Sequence, residues 1–167
     1  MNTIWLMCGL PGSGKSTWAK KQVNTKRISR DEIRFSMLKE GEEYFAHENE
    51  TFAKWVSELA AAVREEEYVI ADATHLTWGA RKKIINAIRA KGVNCQFGVV
   101  VFETPVDVCV ERNAQRTGRE RVPEETIRAW VRSFTDPAAD PFNYFQILRV
   151  NSEGKVIENS LTKNSTF

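Results

Sequence analysis

The chain has 167 residues, with 24 Lys+Arg against 22 Asp+Glu, 42% hydrophobic and 28% charged residues. That length suits one domain, and the apolar fraction is ample for a core, which excludes a disordered or fibrous chain. No run approaches the roughly 18 apolar residues of a membrane helix, no secretory leader is legible, and Cys8, Cys95 and Cys109 lack zinc or redox spacing, so a cytoplasmic protein with reduced thiols is expected.

Strand and helix signals alternate along the sequence. Thr3–Cys8 reads as a short buried strand ending in a Gly-rich turn, followed by a helix from Ser16 to about Val23. Arg27–Ser29 is a brief strand, and a helix runs from Asp31 to about Lys39. Phe52, Trp55, Val56, Leu59 and Val63 recur at helical spacing and mark an amphipathic helix ending near Glu67, its aromatics assigned to the core. Tyr68–Asp72 is another buried strand. Thr77 caps a helix whose apolar face holds Ile84, Ile85 and Ile88, and Gly92 closes it. Phe97–Phe102 has the continuous apolar character of a central parallel strand. Thr104-Pro105 and Pro123-Glu124 each open a helix with proline at its start. Tyr144–Val150 is the last strand, and residues from about 154 to 167 read as a polar tail. Strands separated by crossover helices predict a single α/β domain over 1–167. Its three layers are a parallel sheet of about five strands and helices on both faces.

Charge is unevenly placed. Nine Glu lie between Glu40 and Glu67, whereas Ala73–Phe102 has no acidic residue and carries Arg81, Lys82, Lys83, Arg89 and Lys91. Charged runs of this kind are solvated helix faces, or, for the basic regions, surfaces for a polyanion.

Gly9-Leu10-Pro11-Gly12-Ser13-Gly14-Lys15-Ser16 fits G-x-x-x-x-G-K-[ST] at every fixed position, between a strand and a helix. Its glycines let backbone N–H groups turn inward as an anion nest, aided by the helix N-terminus. The pattern predicts a nucleoside triphosphate, ATP or another NTP, with Mg²⁺. Lys15 reaches the β- and γ-phosphates, Ser16 ligates the metal, and Thr17 adds a contact near the α-phosphate.

Asp31 stands where a strand gives way to a helix, at the edge of the sheet where ligands of such folds bind. A carboxylate there could cap the helix or accept the proton of an attacking hydroxyl. Arg34 lies one turn further on the same face. Asp72 closes a strand in Ala71-Asp72-Ala73-Thr74-His75, as a turn former or as a ligand of metal or acceptor. Arg112, Arg116, Arg119 and Arg121 crowd into ten residues, the composition of an Arg-rich lid over about 112–122 that closes on ATP, or of a solvated basic loop.

Together, Gly9–Thr17, Ser29-x-Asp31-x-x-Arg34, Asp72–Leu76 with Ala80-Arg81-Lys82, and Glu111–Thr117 resemble the 5′-kinase module of polynucleotide kinases, especially the bacterial and phage RNA end-healing type. The resemblance implies a P-loop kinase fold with Asp31 as general base and Lys15 and Arg116 on the transferred phosphoryl group. It further implies Arg112 and Arg116 on ATP, and acceptor contacts from Arg34, Asp72, Thr74 and His75. The family often has Asn where His75 stands. No phosphatase or ligase module accompanies these motifs, so the expectation is a stand-alone kinase, or one part of a split repair system with a separate ligase or phosphatase partner. The implied reaction moves the γ-phosphate of ATP to the 5′-OH end of RNA or DNA. A small-molecule kinase of related build, zeta-toxin-like or an antibiotic phosphotransferase, is the second reading, which the Glu-rich segment suits, and a non-enzymatic ATP switch the third.

Overall fold

The central strands are continuous apolar runs because both of their faces are buried. In the computed structural model, which describes residues 1–161, β1 (Thr3–Cys8), β2 (Lys26–Ser29), β3 (Tyr68–Asp72), β4 (Gln96–Phe102), β5 (Gln146–Val150) and β6 (Val156–Leu161) form one sheet. The strand order is β2-β3-β1-β4-β5-β6, parallel except for β6. Alternate side chains serve opposite faces. Leu6, Cys8, Val99 and Val101 join one core cluster with α3 (Glu48–Glu65) and α4 (Trp78–Ala90). Met7, Val100 and Phe102 join a second with Ala19 and Trp18 of α1 (Lys15–Lys20). The remaining helices are α2 (Arg30–Met37), α5 (Val106–Ala114) and α6 (Glu124–Ser133).

The parallel α/β architecture expected from the sequence is present, with one addition. Part of the expected polar tail, Val156–Leu161, is an antiparallel edge strand on β5. Its residues are all exposed, so it carries no buried alternation to betray it. Asn151 makes the turn instead, its Oδ1 accepting from the N–H groups of Glu153 and Lys155 at 3.0 and 2.9 Å. The rest of that segment, 162–167, lies outside the described residues.

The basic stretch Ala73–Phe102 is not one ligand-facing surface. Arg81 is fully buried. Its Nε and Nη2 donate to the two oxygens of Asp140 at 2.7 and 2.8 Å, and its remaining N–H groups reach the carbonyls of His75 and Thr135. Tyr144 donates to the same carboxylate at 2.6 Å. Lys83 and Arg89 lie over the rings of Phe52 and Phe142. Here the sequence showed charge, and the structure spends it on packing.

Removing one partner of a buried ion pair strands the other charge, a loss of about 3–5 kcal/mol. Asp140→Ala is therefore expected to lower unfolding free energy by that order in urea titration, and Arg81→Met/Asp140→Leu to recover much of it. A change below about 1 kcal/mol in Asp140→Ala would show that the pair does not anchor α4.

Candidate active site

The turn after β1 is shaped by what presses on it. Gly12 sits at φ 81°, and a Cβ there would come within 2.4 Å of the Cys109 carbonyl oxygen on α5. Gly14, at φ 94°, is the left-handed N-cap of α1. Both positions exclude side chains and turn the backbone into a concave loop. α1 has six residues and is shorter than the sequence suggests, so the loop amides rather than a long helix supply the anion-facing surface. Thr104, at the end of β4, donates to the Ser13 carbonyl at 2.8 Å and ties the loop down. Ser13 Oγ is buried without a partner among the described residues.

Lys15 is 8% exposed and donates to the Leu10 carbonyl at 2.7 Å. Burial pulls its pKa down to about 8, against the opposing pull of Asp72. Ser16 donates to Asp72 Oδ2 at 2.9 Å, and Arg27 Nε donates to the same oxygen at 2.8 Å. A hydroxyl and a carboxylate held together are hard oxygen donors and suit a small divalent cation such as Mg²⁺.

Ser29, not Asp31, caps α2: its Oγ accepts from Glu32 N–H at 3.3 Å. The Asp31 carboxylate is thus free of the backbone, and its side chain is 58% exposed. It accepts from Arg34 Nη1 and from the Tyr44 hydroxyl. Burial and the neighbouring Asp31 push the Tyr44 hydroxyl well above the usual phenol range, so it remains a donor. Arg34 is buried, with Nη2 on Glu48 at 2.7 Å and Nε without a partner among the described residues. Glu48 also pairs with Arg30.

A cleft of about 410 Å³ at the carboxyl ends of β1, β2 and β3 brings together Pro11, Lys15, Ser16, Asp31, Arg34, Asp72, Thr74 and Arg116. Of the other expected residues, Gly9, Leu10, Gly12, Ser13, Gly14 and Thr17 belong to the turn and the start of α1 without lining this cleft, and His75 and Arg112 lie apart from it. His75 is 3% exposed, stacks on Trp55 at 5.6 Å and engages the Met7 carbonyl through Nδ1 at 2.9 Å. Burial lowers its pKa to about 4, so it is a neutral core group and does not line the cleft. The structure thus does not bring this expected acceptor contact to the cleft, because the chain turns inward after Thr74. Arg112 reaches the carbonyls of Gly12 and Ser152 from outside the cleft.

Asn113 clasps the Arg-rich segment at its base, exchanging hydrogen bonds with the backbone of Val122 at 2.6 and 3.0 Å. From it, Arg119 donates to the carbonyls of Lys39 and Glu42 across the cleft. Sequence reasoning missed Tyr44, Glu48 and Arg27. Glu48 stands in a Glu-rich run that resembles any solvated face, and its role depends on α3 packing beside α2.

The AAA domain family matches residues 4–137. Among solved structures, a chain of the Pnkp1/Rnl/Hen1 RNA repair complex is similar at TM-score 0.66 and 23% identity, over 79% of this chain. The present chain spans 43% of that chain, less than half its length. A fungal RNA kinase is similar at TM-score 0.61 and 14% identity, covering 99% of this chain and 40% of that one. A gluconokinase from Sinorhizobium meliloti 1021 is similar at TM-score 0.53 and 18% identity, over 90% and 82% of the two chains. These likenesses establish a shared fold.

Because a bound polyphosphate favours the charged lysine, ATP affinity should fall as pH rises through about 8, where the empty site releases its proton. Fluorescent-nucleotide titrations between about pH 7 and pH 9 test this. Lys15→Met should bind more weakly with no slope in that window. Equal slopes in both proteins would remove Lys15 from the binding site.

Proposed function

The chain belongs to the AAA domain family, and on that footing we propose that it is an ATP-dependent phosphotransferase whose acceptor is the 5′-hydroxyl end of RNA or DNA. The observation that carries the reading is the shared cleft: Asp31 and Arg34 face the same space as Lys15, Ser16 and Asp72. Residues 9–17 bind the triphosphate through inward-facing amides, with Lys15 on the β- and γ-phosphates. Ser16 and Asp72 would hold Mg²⁺, which when bound neutralises charge between those phosphates.

Asp31 accepts the proton of the 5′-hydroxyl as its oxygen forms a bond to the γ-phosphorus. The bond from that phosphorus to the bridging oxygen breaks, and ADP leaves with the electron pair. Arg116 stabilises the transferred group, and Arg34 holds the acceptor's phosphate. Residues 112–122 act as the lid of a single domain, held across the cleft by Arg119.

Seven cationic and five acidic side chains line the cleft, a formal excess of two positive charges that favours a phosphodiester acceptor. Similarity to the RNA repair complex and the fungal RNA kinase supports the same acceptor class. A ligase or phosphatase working on the same ends is the partner this activity calls for. Among the described residues no helix is long and apolar enough to cross a membrane, which suits an enzyme acting in the cytoplasm. A second reading, a kinase for small hydroxylated acceptors, is favoured by Glu48, which pairs with both Arg30 and Arg34 inside the cleft and offsets part of their charge.

Transfer from γ-labelled ATP to a 5′-hydroxyl oligonucleotide tests the reading, beside Asp31→Asn. The variant should lose about 10²–10⁴ in kcat and keep its nucleotide affinity. Undiminished turnover would remove Asp31 as the base, and labelling of sugar acceptors alone would establish the second reading.

A further inference from the structure

Leu38–His47, between α2 and α3, carries two adjacent aromatics into the cleft. Phe45 is 63% exposed, and among the described residues it is the one exposed large hydrophobic that lines this cleft. A single exposed apolar ring is ordinary on a protein surface; what sets this one apart is its place in the lining of a polar cleft, beside a second aromatic ring. Its neighbour Tyr44 meets it edge to face, with centroids 4.7 Å apart and planes at 86°. Arg34 backs the pair, its guanidinium 4.1 Å from the Tyr44 centroid and 5.6 Å from that of Phe45. The rings are therefore braced before any ligand arrives, which reduces the ordering cost of binding.

The position of these rings relative to Asp31 specifies what they fit. Tyr44 donates its hydroxyl to the Asp31 carboxylate at one end and abuts Phe45 at the other. One tyrosine ring thus separates the group that meets the attacking oxygen from the exposed aromatic face. Within a single nucleotide, a sugar ring separates the 5′-oxygen from the base in the same way. A sugar acceptor without a base would bring no flat π-face to this rim.

Resting on the polynucleotide reading above, we infer that Phe45, braced by Tyr44, is a stacking platform for the 5′-terminal nucleobase of the acceptor. Phe45 is then a specificity residue: it selects acceptors that carry a base and tolerates any base, because every base has a π-face. It works with Arg34 as two contacts on one nucleotide, ring and phosphate.

The test pairs a protein change with a substrate change. RNA and DNA oligonucleotides of one sequence, each with a 5′-hydroxyl, establish the preferred sugar. The better acceptor is then made with an abasic 5′-terminal residue. In the wild-type chain the abasic end should raise the acceptor KM about tenfold, within the range of base–aromatic stacking, with kcat and the ATP KM little changed. Phe45→Ala should raise KM for the intact acceptor by a similar factor, and the abasic end should then add nothing. Phe45→Trp, which keeps a ring, should retain the wild-type KM. Equal labelling of abasic and intact ends by the wild-type chain would overturn the platform and leave the polynucleotide reading in place. Multiplying penalties from Phe45→Ala and the abasic end would overturn it as well. Failure of the wild-type chain to label any oligonucleotide would instead overturn the polynucleotide reading, and the platform with it.

Discussion

Parallel pairing of β1 with β3 on one side and β4 on the other is the constraint on which the cleft rests. It aligns the carboxyl ends of the strands, so the turn after β1, Asp72 at the end of β3 and Asp31 just past β2 share one edge. The register of β2 on β3 places Ser29 beside Asp72. One residue later the chain enters α2, which lifts Asp31 into the open. Antiparallel pairing would send these ends to opposite edges of the sheet. β6, which does run antiparallel, lies at the far side and contributes nothing to the cleft.

Within that frame, paired charges hold the cleft's polar groups. Asp72 takes Ser16 and Arg27 on one oxygen, joining the start of α1 to the edge strand β2. Asp31, Arg34, Glu48 and Arg30 form a chain of opposite charges between α2 and α3. Such alternation lets Arg34 be buried without an uncompensated charge, which would be costly in a low-dielectric setting. It also means that any anion approaching Arg34 must compete with Glu48 for it. Arg81 and Asp140 apply the same principle deeper in the chain, where the pair pins α4.

How legible each feature was depended on how local its cause is. The glycines, Lys15 and Ser16 were readable because the turn after β1 is specified by neighbours a few residues apart. Asp31 was placed correctly at a strand-to-helix junction, although Ser29 turned out to cap the helix. The inward placement of His75 was not legible, because its motif resembles a loop while its ring stacks on Trp55, which is 20 residues away in the sequence. Arg81 looked like surface charge because its partner lies 59 residues away. Glu48 and Tyr44 carried no signal, since a glutamate in an acidic run and a tyrosine in a connecting loop gain meaning only through what faces them.

By itself, the order of residues determined the alternating strands and helices, the phosphate-loop pattern and the carboxylate at the second strand's end, because propensity, periodicity and turn chemistry act over short stretches. Only the tertiary structure decided which cations are buried, which carboxylate holds which arginine, and which aromatic ring reaches the cleft. Those outcomes depend on burial and charge pairing between distant segments, and neither exists until the chain has folded.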